Sequence, residues 1–463
     1  MRKKLMKKLL LFLWMGCCIP WLHAQSPALS GMWKGCLHLG SDSLAVVLVL
    51  DNHDDTVTAV LDSPDQYVTD IPVTEFSLRG DTLTFAVASV GASFRGVWCG
   101  DSITGKFRQN GRRFPLVLRP TTHRQLFPRP QEPQEFPYTQ HELTFPYNER
   151  IDISGTLTLP YWGKPKAVVV LISGSGWQDR DETIMAHKPF KLLADYLTRL
   201  GYAVFRYDDA PLMAFQKMNT LDFAEQVKVV VDRLRQEGDL HGCPIGLLGH
   251  SEGGMVAWMV AAERHDLDFV ISMAGMGTTL REVLLYQAAE NAIQNHFSAE
   301  MLRASLLISD ETYALVERAK DASTAARKVS ESLHARAAQL TDEERIALNL
   351  TDEGIMISAQ TLASNWFFTL MHLKPAQYLK KITCPVLALN GELDKQVDAV
   401  QNVYAIRDGL KHCPDFTPCI LPGLNHLFQE CETGYVDEYG LIEQTLSPAF
   451  LEQVGKWLDE RIK

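Results

Sequence analysis

The run LLGHSEGG places Gly249, Ser251 and Gly253 in a Gly-x-Ser-x-Gly arrangement between an apolar, strand-like stretch and a helix-like one. That context predicts a sharp strand-to-helix elbow whose serine hydroxyl stands above a sheet. Strained backbone angles accompany such a turn, and the two glycines relieve crowding where the turn and a neighbouring strand approach. Five residues are weak alone, because an ordinary glycine-rich turn matches them too. The pattern constrains the fold only if the rest of the chain supplies alternating strands and helices, an acid and a base.

From Tyr138 onward it supplies them. ISGTLTLP, KAVVVLIS, YAVFRYD, PIGLLGH, DFVISMAG, CPVLALNG and FTPCILPG read as strands. Helices are predicted over Lys188 to Leu200, Leu221 to Gln236, Glu252 to Arg264, Ala399 to Leu410 and Pro448 to Arg461. Near-continuous Val, Ile and Leu runs between helices indicate a mostly parallel sheet covered on both faces. Met276 to about Lys380 lacks strand signals and is rich in Ala, Leu, Glu and Arg, which predicts a helical cap inserted into the α/β domain.

Ahead of this lies a different pattern. Short alternating segments from Leu29 to about Leu118, broken every eight to twelve residues by Gly, Asp and Asn, predict a small antiparallel barrel or sandwich. Trp33, Trp98 and Phe107 are expected in its core. Pro120 to Pro137 holds five prolines and reads as an extended linker. The expected organisation is therefore a small all-β domain at 26–119, a linker at 120–137, an α/β core at 138–275 and 381–463, and a cap at 276–380.

Residues 1–25 combine a basic head, an apolar run from Leu9 to Ile19 and a cut site after Ala24, the pattern of a secretory signal. The run is shorter than the roughly 20 residues a bilayer span needs, so an exported, periplasmic protein without a retained span is expected. Lipid attachment at Cys17 or Cys18 is the alternative, on a poor small-residue motif. Loss of Arg2, Lys3, Lys4, Lys7 and Lys8 takes the formal charge from −11 to −16, which argues against nucleic acid as a partner. Seven cysteines remain, with Cys36–Cys99 and Cys413–Cys419 as candidate disulfides and buried thiols as the alternative. No Cys-x-x-Cys pair occurs, and neither a metal nor an organic cofactor is expected.

Acid and base follow Ser251 in order. Asp394 stands just beyond the strand CPVLALNG, at the carboxyl end where catalytic groups of parallel sheets gather. Glu392 is its alternative. His426 lies in PGLNHLF, behind the last strand. Oxyanion donors are sought in the Glu252 N–H, after the nucleophile, and in Ser173 to Trp177, where the Ser175 N–H is chosen with Gly176 close behind. Trp177, Trp366 and Phe367 are candidate pocket walls, with core packing as their alternative. For Gln178 to Glu182, ion pairs that hold this turn are favoured over a polar substrate contact.

A strand, Gly-x-Ser-x-Gly and helix, then an acid, then a histidine, resembles the α/β-hydrolase fold. LISGSGWQDRDE, FRYDDAP, GLLGHSEGG, the cap end Trp366-Phe367-Phe368, CPVLALNGELDKQV and LPGLNHLF resemble more closely the exported bacterial serine carboxylesterases that carry a small N-terminal β domain; LDSPDQY and GKFRQNGRRFPLVL resemble that domain. The resemblance implies cleavage of short-chain, small-molecule esters, with Ser251 as nucleophile, Asp394 as acid and His426 as base. One departure is RYDDAPLMAFQ, where relatives tend to continue RYDxRGxGxS. Two other readings stay open at this stage: a peptidase or amidase of the prolyl-oligopeptidase type, and an inactive hydrolase-fold module that binds glycan or lipid.

Overall fold

The structure, a computed structural model, describes residues 29–39, 42–53, 56–109 and 111–462. The expected leader, with Cys17 and Cys18, lies outside the described residues. Two compact units divide the chain, the first ending at Leu126 and the second beginning at Phe127.

The first unit is one antiparallel sheet of nine strands: β1 (Gly31–Leu39), β2 (Asp42–His53), β3 (Thr56–Ser63), β4 (Val68–Pro72), β5 (Glu75–Arg79), β6 (Thr82–Val87), β7 (Ala92–Trp98), β8 (Ile103–Gln109) and β9 (Arg112–Thr121). Their spatial order is β4-β3-β2-β1-β9-β8-β7-β6-β5. First and last strands thus pair in the middle, and β4 and β5 are the edges. Period-two alternation, as in Leu83, Phe85 and Val87, sends one face inward. Trp33, Leu48, Phe94, Ile103 and Phe107 are buried in the shared core, with Trp98 packed against it.

The second unit holds a sheet of β10 (Tyr138–Asn148), β11 (Ile151–Pro160), β12 (Val168–Ile172), β13 (Ala203–Tyr207), β14 (Ile245–His250), β15 (Phe269–Met273), β16 (Val386–Gly391) and β17 (Phe416–Leu421), in the order β10-β11-β13-β12-β14-β15-β16-β17. β11 pairs antiparallel with both β10 and β13, and every later pairing is parallel. With helices on both faces, this is the α/β-hydrolase fold. The five-residue runs of β12, β13 and β15 are buried throughout, as strands covered on two sides must be.

Pro189–Arg199 (α1) and Pro448–Arg461 (α14) cover one face through Phe190, Phe450, Val454 and Trp457. The other carries Thr220–Leu234 (α3) and Glu252–Glu263 (α4); Leu212–Phe215 (α2) precedes α3. Seven helices run between β15 and β16: α5 (Leu280–Gln294), α6 (Ala299–Glu317), α7 (Ala322–Ala337), α8 (Asp342–Ala347), α9 (Asp352–Leu362), α10 (Asn365–His372) and α11 (Pro375–Leu379). Their starts are written locally. Thr279 with Glu282 and Thr341 with Glu344 form capping boxes, and Ser298, Asp321, Thr351 and Ser364 accept N–H groups of the first turns. Val316, Val329 and Ile355 join these helices to the core on the α3 and α4 face. Ala399–Gly409 (α12) and Val436–Tyr439 (α13) complete the unit.

All seven described cysteines are free, so neither candidate disulfide is formed. Cys413 instead sets its Sγ 3.3 Å from the Cys384 carbonyl oxygen. Among the described residues no helix is long and apolar enough to cross a membrane.

Candidate active site

Ser251 sits between β14 and α4 with φ 53° and ψ −116°. A non-glycine residue there is strained, and the surroundings must hold it. The Ser251 N–H donates to the Met273 carbonyl of β15 (2.8 Å), and its own carbonyl accepts from the Gly254 N–H (3.0 Å). The glycines of the motif have a steric reason. A Cβ on Gly249 would lie 2.1 Å from the Gly253 carbonyl oxygen, and one on Gly253 would lie 2.2 Å from that of Ile172.

Asp394 and His426 come from the loops after β16 and β17, and both are buried, at 1% and 4% exposure. Asp394 Oδ2 is 2.7 Å from His426 Nδ1 and also accepts from Asn390 Nδ2 (3.1 Å). Its Oδ1 accepts the N–H groups of Gln396 and Val397, each at 2.8 Å. The carboxylate is thereby fixed from four sides, which orients the imidazole. Glu392 is exposed and takes the Gly423 N–H (3.0 Å), so it ties two loops together, while the carboxylate at His426 Nδ1 is that of Asp394.

Residues 173–177 follow β12. A Cβ on Gly174 would come 3.2 Å from Ser251 Cβ, so this turn runs beside the elbow. The Gly174 N–H is occupied, donating to Glu182 Oε1 (2.8 Å). Ser175 lines the cavity in front of Ser251, whereas Gly176, with φ 93°, does not. Trp177 also departs from expectation. Its indole N–H donates to the Ala210 carbonyl (3.0 Å), which draws the ring toward the loop after β13; it is half-exposed and lies outside the cavity lining.

The cavity has a volume of about 440 Å³. Ser251 and His426 line it on the core side; Leu280, Val283, Trp366, Phe367 and Leu370 line it from the cap. From α5, Tyr286 donates its hydroxyl to the Asp394 carbonyl (2.8 Å), and Gln287 donates to that of Gln396 (3.0 Å). The cap thus reaches the Asp394 loop directly.

Two buried carboxylates add their side chains: Glu182 belongs to the segment expected to hold the turn and does bind its Gly174 N–H, whereas Glu252 is read from the sequence only for its N–H. Glu182 Oε1 accepts from His250 Nδ1 as well (2.8 Å), and His250 Nε2 lies 3.2 Å from the His426 carbonyl oxygen. Burial opposes a charged ring at His250, but the Glu182 carboxylate outweighs it and holds the imidazole above the usual histidine range. Turn, elbow and histidine loop are joined through this pair. Glu252 receives Thr220 Oγ1 (2.7 Å), Ser175 Oγ (2.8 Å) and the Trp366 indole N–H (2.9 and 3.0 Å to its two oxygens). Burial pushes this carboxyl up, against those three donors. Its place in the x position of the motif was the only available signal. Arg180 engages Asp208 and Glu142, and Arg206 engages Asp181, so the QDRDE segment forms ion pairs as expected, while its direct tie to the turn is the Glu182 bond to the Gly174 N–H.

No protein-family model matches the chain. A curated relative, Esterase EstD of Thermotoga maritima, is 24% identical over 314 residues, which are 66% of this chain; the chain spans 65% of that protein's length. Solved structures similar to this chain include a dienelactone hydrolase from Anabaena variabilis (14% identity, TM-score 0.41, 71% of this chain and 100% of that one). Another is Est1E from Butyrivibrio proteoclasticus with bound ferulic acid (14%, TM-score 0.40, 69% and 99%).

Proposed function

We propose that this chain is a serine carboxylesterase that cleaves short-chain, small-molecule esters through an acyl-enzyme on Ser251. The observation that carries the reading is the 2.7 Å contact of Asp394 with His426 at a cavity that Ser251 also lines. The identity with Esterase EstD supports ester over amide cleavage.

In this mechanism His426 takes the Ser251 proton through Nε2, because Nδ1 faces the acid. The Ser251 Oγ attacks the ester carbonyl carbon, and negative charge moves to the carbonyl oxygen. The N–H groups of Glu252 and Ser175 receive that oxyanion. The imidazolium then protonates the leaving alkoxide, and Asp394 stabilises the charged ring in the meantime. Water repeats the sequence to release the acid. The signal-like pattern of residues 1–25 supports export to the periplasm, and cleavage after Ala24 would show in the mature N-terminus.

The test is fluorophosphonate labelling together with turnover of p-nitrophenyl acetate, butyrate and octanoate and of an amino-acid anilide, with Ser251→Ala alongside. Labelling that requires Ser251, with rates falling toward the longer esters, is expected. Anilide cleavage exceeding ester cleavage would move the assignment to a peptidase, and absence of labelling would leave a binding module.

A further inference from the structure

The cavity in front of Ser251 has a one-sided charge pattern. Glu182 and Glu252 are in its lining, and no lysine or arginine is. Both carboxylates are buried, at 0% and 3% exposure. Glu252 is met only by neutral donors, the hydroxyls of Thr220 and Ser175 and the Trp366 indole. These three donors favour its carboxylate form, against the burial that pushes the carboxyl up. Glu182 spends Oε1 on Gly174 and His250, while its Oε2 is buried without a hydrogen-bond partner.

Asp209, whose Oδ2 accepts the Gln178 N–H, is pushed up to about 7, first by burial and then by the charges of Glu252, Glu182 and Asp208. Nearby cations are committed elsewhere: Arg180 to Asp208 and Glu142, Arg206 to Asp181, and Lys395 to Glu290. His250 faces Glu182 and neutralises at most one carboxylate. An anion entering here loses water, finds no guanidinium or ammonium, and meets like charge at short range with little salt screening.

We propose that this cavity admits neutral or cationic acyl groups and rejects those ending in a carboxylate, with Glu252 setting the discrimination. The inference rests on the esterase reading of Ser251. It concerns which esters are accepted, a property the Ser-His-Asp arrangement does not determine.

The experiment compares kcat/KM for three p-nitrophenyl esters of equal chain length: hexanoate, 6-(trimethylammonio)hexanoate and the half-ester of adipic acid. Hexanoate and the cationic ester are expected to be turned over comparably, and the adipate half-ester at least about tenfold less well. Glu252→Gln should narrow that gap by about threefold or more. Gln287→Lys, which places a cation in the lining, should raise the rate on the adipate half-ester above that of the unmodified protein, a gain that misfolding cannot produce. Equal rates on hexanoate and adipate would overturn the inference and leave the esterase intact. A gap that neither variant changes would overturn the role of cavity charge. No Ser251-dependent turnover of hexanoate would instead remove the esterase reading itself.

Discussion

Trp366, on the cap helix α10, donates its indole N–H to both carboxylate oxygens of Glu252, the residue after Ser251, at 2.9 and 3.0 Å. A residue of the cap is thus bonded to the first residue of the helix that follows the elbow. Trp366→Phe keeps the aromatic wall but removes the donor from a buried carboxylate. It should lower stability by on the order of 1–3 kcal/mol, read from the denaturant midpoint. An unchanged midpoint would mean that this bond contributes nothing in solution.

The 2.7 Å contact between Asp394 and His426 predicts the behaviour of a variant that keeps its shape. Asp394→Asn preserves volume but loses the charge that fixes the imidazole tautomer. Its kcat on p-nitrophenyl butyrate should fall by roughly 10³–10⁴-fold with KM little changed. A loss below tenfold would show that His426 is oriented by another group.

Two glycines separate steric from conformational cost. Gly249→Ala drives a methyl to 2.1 Å from the Gly253 carbonyl oxygen, a rigid backbone contact, and should destabilise by about 1–3 kcal/mol or more. Gly423→Ala meets open space at φ 69° and should cost about 1 kcal/mol through its backbone angle alone. Thermal melts of the pair check the ranking, and the reverse order would contradict the packing at the elbow.

His187 and Asp209 predict opposing pH effects on stability. Burial, and then the Arg129 charge, lowers His187 from 6.5 to about 4, so the unfolded chain binds its proton first. Its contribution is complete above 6.5 and is lost as pH falls toward 4. Asp209 is raised from 3.8 to about 7, so the folded state holds that proton; this contribution is present below 3.8 and is lost as pH rises to 7. The Tm advantage of the unmodified protein over His187→Gln should therefore grow from pH 4 to 6.5. Its advantage over Asp209→Asn should shrink across pH 4 to 7. Flat difference curves would show that neither group is shifted by folding.

What could be read locally came out of the chain itself. The elbow at Ser251, the helices near Lys188, Leu221 and Pro448, and the buried runs of β12 to β16 depend on residues adjacent in sequence, so periodicity and glycine placement were enough. Asp394 and His426 could be nominated because each follows a parallel strand, and such loops collect at one end of a sheet. Trp177 could not be oriented, because the Ala210 carbonyl that draws it aside lies 33 residues away.

By itself, then, the sequence determined the α/β pattern, the order of serine, acid and histidine, and the helical character of the cap, all of which rest on local propensity and spacing. The tertiary structure decided that β13 lies between β11 and β12, that Glu182 meets His250 across 68 positions, and that Trp366 meets Glu252 across 114. Those contacts join elements distant in the chain, and burial makes each polar group find its partner wherever packing brings one within reach.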